Sequence, residues 1–186
     1  RDTCLSSLAS RHMREQSDPA LVDNLKRHVD CLAGLIGPRH LGKFAALEAA
    51  ATYVERELTG AGYKVSRETY TIGDKNVSNL VAELPGGWQT DEIVILGAHY
   101  DTFPRTPGAD DNASAVAVLI EAARMLHDWQ SSRTVRFISF PCEEPPHFHT
   151  GDMGSQVYAR QCRVRGERIV GGNAVVRDGV GQVMHL

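Results

Sequence analysis

The sequence has no basic block. Its formal net charge is −3, with 20 Lys and Arg against 23 Asp and Glu, which leaves no electrostatic footprint for nucleic acid. Long hydrophobic runs are missing too. The apolar stretches are strand-sized, and none approaches the roughly 20 residues a membrane-spanning helix needs. The opening segment RDTCLSSLASRHMREQ carries no apolar h-region, so no signal peptide is visible. The chain opens on Arg1 rather than Met, and the expectation is that something upstream was removed. No motif assigns a compartment. The four cysteines, Cys4, Cys31, Cys142 and Cys162, are widely spaced and include no Cys-x-x-Cys pair. That speaks against both a dense disulfide framework and a cysteine-built structural zinc site. Four ordinary, mostly buried thiols are expected.

What is present is enough for one core. The chain has 186 residues, 42% apolar and 23% charged, the balance of a soluble globular protein. Asp18-Pro19 reads as a helix start, followed by Leu21, Leu25, Val29, Leu32 and Leu35 or Ile36 at helical spacing and a stop at Gly37-Pro38. A second helix fits 43–60. Strands fit 63–72, 79–85 and, as a nearly continuous apolar run, 92–98 (EIVILGA). A helix over 112–128, a strand over 134–140, a helix over 153–162 and a strand from 167 follow. Alternating strands and helices after residue 90 imply parallel crossovers with helices on both faces of a sheet. The expected fold class is therefore α/β. We see neither repeat nor linker, so 17–186 reads as a single domain behind an irregular lead-in, 1–16, with an atypical tail over 171–186.

In such sheets, functional groups gather at the carboxyl ends of strands. One buried strand ends in His99-Tyr100-Asp101, the next in Pro141-Cys142-Glu143-Glu144, and Asp110-Asp111 lies between them just before a helix. Helix capping by Asp111 or Asn112 accounts for one acidic residue. Burying the others unpaired would cost several kcal/mol each or force protonation. A divalent cation resolves this, and one imidazole with several carboxylates suits zinc. A carboxylate bridging two metals would explain the surplus of acids. Asp101, two residues after His99, lies on the same side of the strand and can fix the imidazole tautomer.

These motifs resemble the di-zinc aminopeptidases of the bacterial leucyl aminopeptidase type. The resemblance runs from about Leu21 to Arg168 and rests on GPR at 37–39, GAHYDT at 97–102, PGADDNAS at 107–114, EE at 143–144 and GSQVYA at 154–159. It implies a three-layer α/β/α sandwich around a mixed, largely parallel sheet, and removal of N-terminal residues from peptides with two zinc ions. Position by position it implies metal ligation by His99, Asp110 (bridging) and Glu144. Glu143 becomes the general base and Asp101 the orienter of His99. It also implies a cis peptide preceding Asp111. The segment PPHFHTGDM, 145–153, reads as a substrate-side rim, with His147 and His149 as solvated loop histidines.

The resemblance requires two further ligands, an acidic residue on a later strand and a distant histidine. The tail IVGGNAVVRDGVGQVMHL departs from the family pattern, and the contexts of Asp178 and His185 match nothing in it. NAVVRDGV can be encoded so that a shift of one nucleotide reads MLWLEMV, close to the family strand, so the tail is expected to be a frame-shifted, early-ending reading. Three other readings stand beside the aminopeptidase: a single-zinc transferase of the same fold that cyclises N-terminal glutamine, a truncated fragment with at most weak metal binding, and a structural domain whose acids are caps.

Overall fold

The computed structural model describes residues 18–174. The tail residues Asp178 and His185, the encoded string beyond Ala174, the lead-in 1–16 and Cys4 lie outside the described residues. Helix α1 (Pro19–Val29) starts as the sequence implies, with Asp18 Oδ1 accepting from the Ala20 N–H at 3.0 Å. It continues as a π-helical stretch, Asp30–Ile36, that closes where the Gly37 N–H donates to the Leu32 carbonyl. Gly37 then turns the chain with φ 74°, a conformation that costs other residues a Cβ clash. A short 3-10 turn, Leu41–Lys43, leads into α2 (Phe44–Gly60).

Five strands follow among the described residues: β1 (Val65–Ile72), β2 (Lys75–Leu84), β3 (Gln89–His99), β4 (Arg133–Phe140) and β5 (Arg168–Ala174), in the order β1-β2-β4-β3-β5. Two helices lie between them, α3 (Ala115–Leu126) and α4 (Gly154–Arg165). The sheet is mixed. β3 pairs in parallel with β4 and β5, whereas β1–β2 and β2–β4 are antiparallel.

Strand alternation sorts the side chains onto two faces. Leu80, Ala82, Leu84, Ala98, Val135 and Phe137 join the main core with Leu47, Val54 and Leu58 of α2 and Val116, Leu119 and Ile120 of α3. The intervening residues Val81, Ile93, Ile95, Ile138 and Phe140 meet Tyr158 and Cys162 of α4 on the other side. The result is the three-layer α/β/α sandwich that the sequence implied. Each fully buried Leu, Ile or Phe contributes about 1.5–3 kcal/mol through burial. The sheet stays registered because a one-residue slip would exchange the two faces.

This frame fixes the site. β3 and β4 run side by side in parallel, with His99 paired to Phe140. Their carboxyl ends therefore coincide, and the Tyr100 N–H donates to the Phe140 carbonyl at 2.8 Å just beyond the last ladder pair.

Candidate metal and catalytic site

His99 sits at the end of β3 and is 1% exposed. Its two ring nitrogens meet different carboxylates. Nδ1 lies 3.3 Å from Asp101 Oδ1, within ion-pair reach but without hydrogen-bond alignment. Nε2 lies 3.0 Å from Asp111 Oδ1 and 3.7 Å from Glu143 Oε2. Burial alone would lower the His99 pKa, but the Asp101 and Asp111 carboxylates outweigh it and push the ring up to about 10.

Asp101 does more than face the histidine. Buried at 3% exposure, it accepts the Glu143 N–H on Oδ1 and the Glu144 N–H on Oδ2, each at 3.1 Å. Burial works against its ionised form, yet the His99 ring and these two N–H groups hold its carboxyl below the usual range. The turn after β4 reaches Asp101 through Cys142, a buried residue with φ 61°. A non-glycine residue in that region marks a strained, functionally constrained position. Asp101 thus links the ends of two strands.

Glu143 is 8% exposed. Burial, reinforced by the charges of Asp101, Glu144 and Asp111, raises its carboxyl to about 7 against the pull of His99. Burial and the Asp111 charge also raise Glu144. Glu144 lines a small cavity of about 60 Å³ with Asp101, Thr102, Cys142, His40 and His147.

The structure revises the reading of the adjacent aspartates. Asp110 is exposed, whereas Asp111 is half-buried and turned to His99. The carboxylate beside His99 is therefore Asp111, one residue later than the resemblance implied. The non-proline cis peptide is likewise between Asp111 and Asn112, not before Asp111. The reason is local. The chain enters the turn Ala109–Ser114 through Gly108 at φ 63°, and Asp111 and Asn112 leave helical geometry within it. Helix α3 begins only at Ala115, and neither Gly108 nor Ser114 makes a side-chain cap at these starts, so the expected capping by Asp111 or Asn112 is replaced by this turn.

His99, Asp101, Asp111 and Glu143 converge, and Glu144 joins through its backbone and the cavity. His147 is half-buried with Nδ1 3.7 Å from Asp152 Oδ2, and His149 is exposed. Cys31, Cys142 and Cys162 are free thiols. Arg39 escaped notice except as the last letter of GPR. It is 0% exposed and wired into the site loop. An arginine directly after a helix-stopping Gly-Pro was the available signal.

Among the described residues, no group of three or more His, Cys, Asp and Glu is already arranged around a metal-sized space. Instead His99 Nε2 and Asp111 touch directly. The donor set nevertheless fits a divalent cation. His99 stands among the Asp101, Asp111 and Glu143 carboxylates, whose charges outweigh burial and favour a proton on the ring. A metal ion at Nε2 would answer the same field without that proton.

Comparison with known proteins identifies the family. The sequence profile of Peptidase family M28 matches residues 79–172. The chain belongs to Peptidase family M28. Among relatives, this M28 chain is 34% identical over 145 residues to the uncharacterised protein YfbL of Escherichia coli K12, covering 74% of this chain and 44% of that protein. It is 43% identical over 67 residues to the aminopeptidase YwaD of Bacillus subtilis, covering 36% and 14%. Among solved structures, a zinc aminopeptidase of Bacillus subtilis superposes with a TM-score of 0.62 at 15% identity, covering 66% of this chain and 61% of that one. The glutaminyl cyclase of Fimbriiglobus ruber gives 0.67 at 21% identity, covering 82% and 60%. Both structures share its fold. The chain spans less than half the length of these curated relatives and of the leupeptin-inactivating enzyme 1 of Streptomyces exfoliatus. Among the described residues no helix is long and apolar enough to cross a membrane.

Proposed function

We propose that this chain carries the β3–β4 part of a zinc aminopeptidase site, with peptides as substrate and hydrolysis of the N-terminal peptide bond as the reaction. The observation that carries the reading is the convergence of His99 Nε2 on the Asp111 and Glu143 carboxylates where two parallel strands end. His99 Nε2 and the carboxylates of Asp111 and Glu144 would hold the metal, with Asp111 taking the bridging role if two ions bind. When bound, zinc supplies Lewis acidity for the scissile carbonyl and for water.

The remaining work belongs to the protein's own groups. Asp101 stands 3.3 Å from Nδ1 of His99, which leaves Nε2 on the side of Asp111. The same carboxylate orients Glu143 and Glu144 through their N–H groups. Glu143 has its carboxyl raised to about 7. A carboxylate there takes a proton from water near neutrality and delivers it to the leaving amine nitrogen, as a general base then acid.

The experiment is zinc stoichiometry of the purified chain together with hydrolysis of leucine p-nitroanilide, in wild type and Glu143→Gln. The reading expects zinc retention in both. It expects an activity loss of about 10²–10⁴-fold in the variant. Zinc that survives replacement of His99 by Ala would overturn it.

A second reading is a glutaminyl-cyclase-like acyltransferase using one zinc. It is favoured by the broad overlap with the Fimbriiglobus ruber fold. A peptide with N-terminal glutamine separates the two, since cyclisation releases ammonia and hydrolysis releases free glutamine.

A further inference from the structure

Arg39 lies on the loop after the first helical stretch, far in sequence from the residues that carry the chemistry and outside the stretch that the family profile matches. It is nonetheless among the largest fully buried side chains. A guanidinium out of water is costly unless its donors are satisfied. Here five carbonyl oxygens accept from it. Nε donates to Tyr100 O at 2.6 Å, and Nη1 to Leu32 O, Gly37 O and Pro107 O at 3.1, 3.2 and 2.7 Å. Nη2 donates to Gly108 O at 3.1 Å.

The backbone of Arg39 is tied in as well. Its N–H donates to Thr102 Oγ1 at 3.1 Å, and its carbonyl accepts the Thr102 N–H at 2.9 Å. The contacts fall on two sides. One set holds the end of β3 one residue either side of Asp101. The other holds Pro107 and Gly108, which open the turn that carries Asp111. Gly108 has no room to adjust: a Cβ there would collide with the Thr102 side chain and come within 2.6 Å of the Asp111 carbonyl. Its carbonyl also accepts the Ala113 N–H at 3.0 Å, closing the turn around Asp111.

We infer that Arg39 is a positioning residue of the site: its buried guanidinium clamps the 107–113 turn to the end of β3 and so sets Asp111 against His99. The choice of arginine follows from the geometry. Only a planar fork reaches carbonyls from three separate segments at once, and a lysine ammonium with three donors on one atom cannot span them. The charges of Asp101 and Asp111 in turn offset part of what burial costs the guanidinium.

The test compares wild type with Arg39→Lys and Arg39→Met by amide hydrogen exchange and by zinc affinity measured with a competing chromophoric chelator. The zinc arm rests on the metal reading above, whereas the exchange arm does not. Expected is roughly tenfold or faster exchange at the Thr102 and Ala113 amides, the scale of a lost charge-assisted bond, with β2 and β4 amides unchanged. Expected also is a zinc Kd weakened about 10–100-fold in folded protein. Unchanged exchange at Thr102 and Ala113, or uniform acceleration throughout the sheet, overturns the inference. So does the loss of the fold in both variants, because a residue needed only for folding positions nothing. A His99→Ala control separates the two ideas. If it leaves zinc affinity unchanged, the metal reading fails and the exchange arm alone decides the role of Arg39.

Discussion

Asp101 accepts the backbone N–H of Glu143 at 3.1 Å across 42 residues of chain, a side-chain bond that ties the turn after β4 to the end of β3. The same carboxylate takes the Glu144 N–H and stands beside His99. Asp101→Asn presents an amide N–H₂ where one N–H needs an acceptor. One buried donor is then left unsatisfied, at a cost of about 1–3 kcal/mol. Urea unfolding should show that loss, and zinc affinity should fall by about 10–100-fold because one glutamate loses its backbone anchor and His99 loses the charge beside Nδ1. A variant with full stability and full affinity would rule out the linking role.

The adjacent aspartates should separate cleanly. Asp111 faces His99, and Asp110 is exposed. Asp111→Asn is expected to lower zinc retained after dialysis. Asp110→Asn should leave it within a factor of about two of wild type, as surface changes usually stay within 0.5 kcal/mol. Equal losses from the two would restore Asp110 to the ligand set.

Gly108→Ala tests the turn. The residue holds φ 63° and has no space for a methyl group. The left-handed conformation alone costs about 1–2 kcal/mol for a residue with a Cβ, so thermal or urea unfolding should show at least that. Gly73→Ala has a similar φ of 60° and open space around it, and should cost less.

A pH effect is expected from the packing of α1 on α3. His28 of α1 is completely buried, with Nδ1 2.7 Å from Tyr53 Oη and Nε2 3.0 Å from Glu121 Oε1. A neutral ring satisfies both partners by donating from Nε2 and accepting at Nδ1. Burial lowers its pKa below the ordinary 6.5, despite the neighbouring carboxylates. The unfolded chain therefore binds a proton that the folded chain refuses. Stability from this group is complete above about pH 6.5 and is lost as pH falls toward the depressed value, with a slope of at most about 1.4 kcal/mol per pH unit. His28→Gln offers a donor and an acceptor without titrating. Urea midpoints measured from pH 7 to 5 should converge between wild type and variant as the acid end is approached. A constant gap would show that the folded and unfolded chains bind this proton equally, so that folding does not lower the His28 pKa.

The elements were legible because each carries its own periodicity. EIVILGA reads as a strand covered on both faces, and it forms an interior strand of the observed sheet, β3, between β4 and β5. Asp18-Pro19 and Gly37-Pro38 bracket the first helical stretch as written. The placing of His99, Asp101, Glu143 and Glu144 at strand ends followed from the same local logic, since parallel strands deliver their carboxyl ends to one edge. What the residues by themselves determined, then, is the α/β layering and the collection of acids and one imidazole at that edge. Only the tertiary structure decided which of two neighbouring aspartates faces the imidazole, because that choice depends on how the Gly108 turn is aimed. It also decided that a guanidinium from another segment aims it, since five carbonyls brought together from distant stretches of chain leave no periodic trace in sequence.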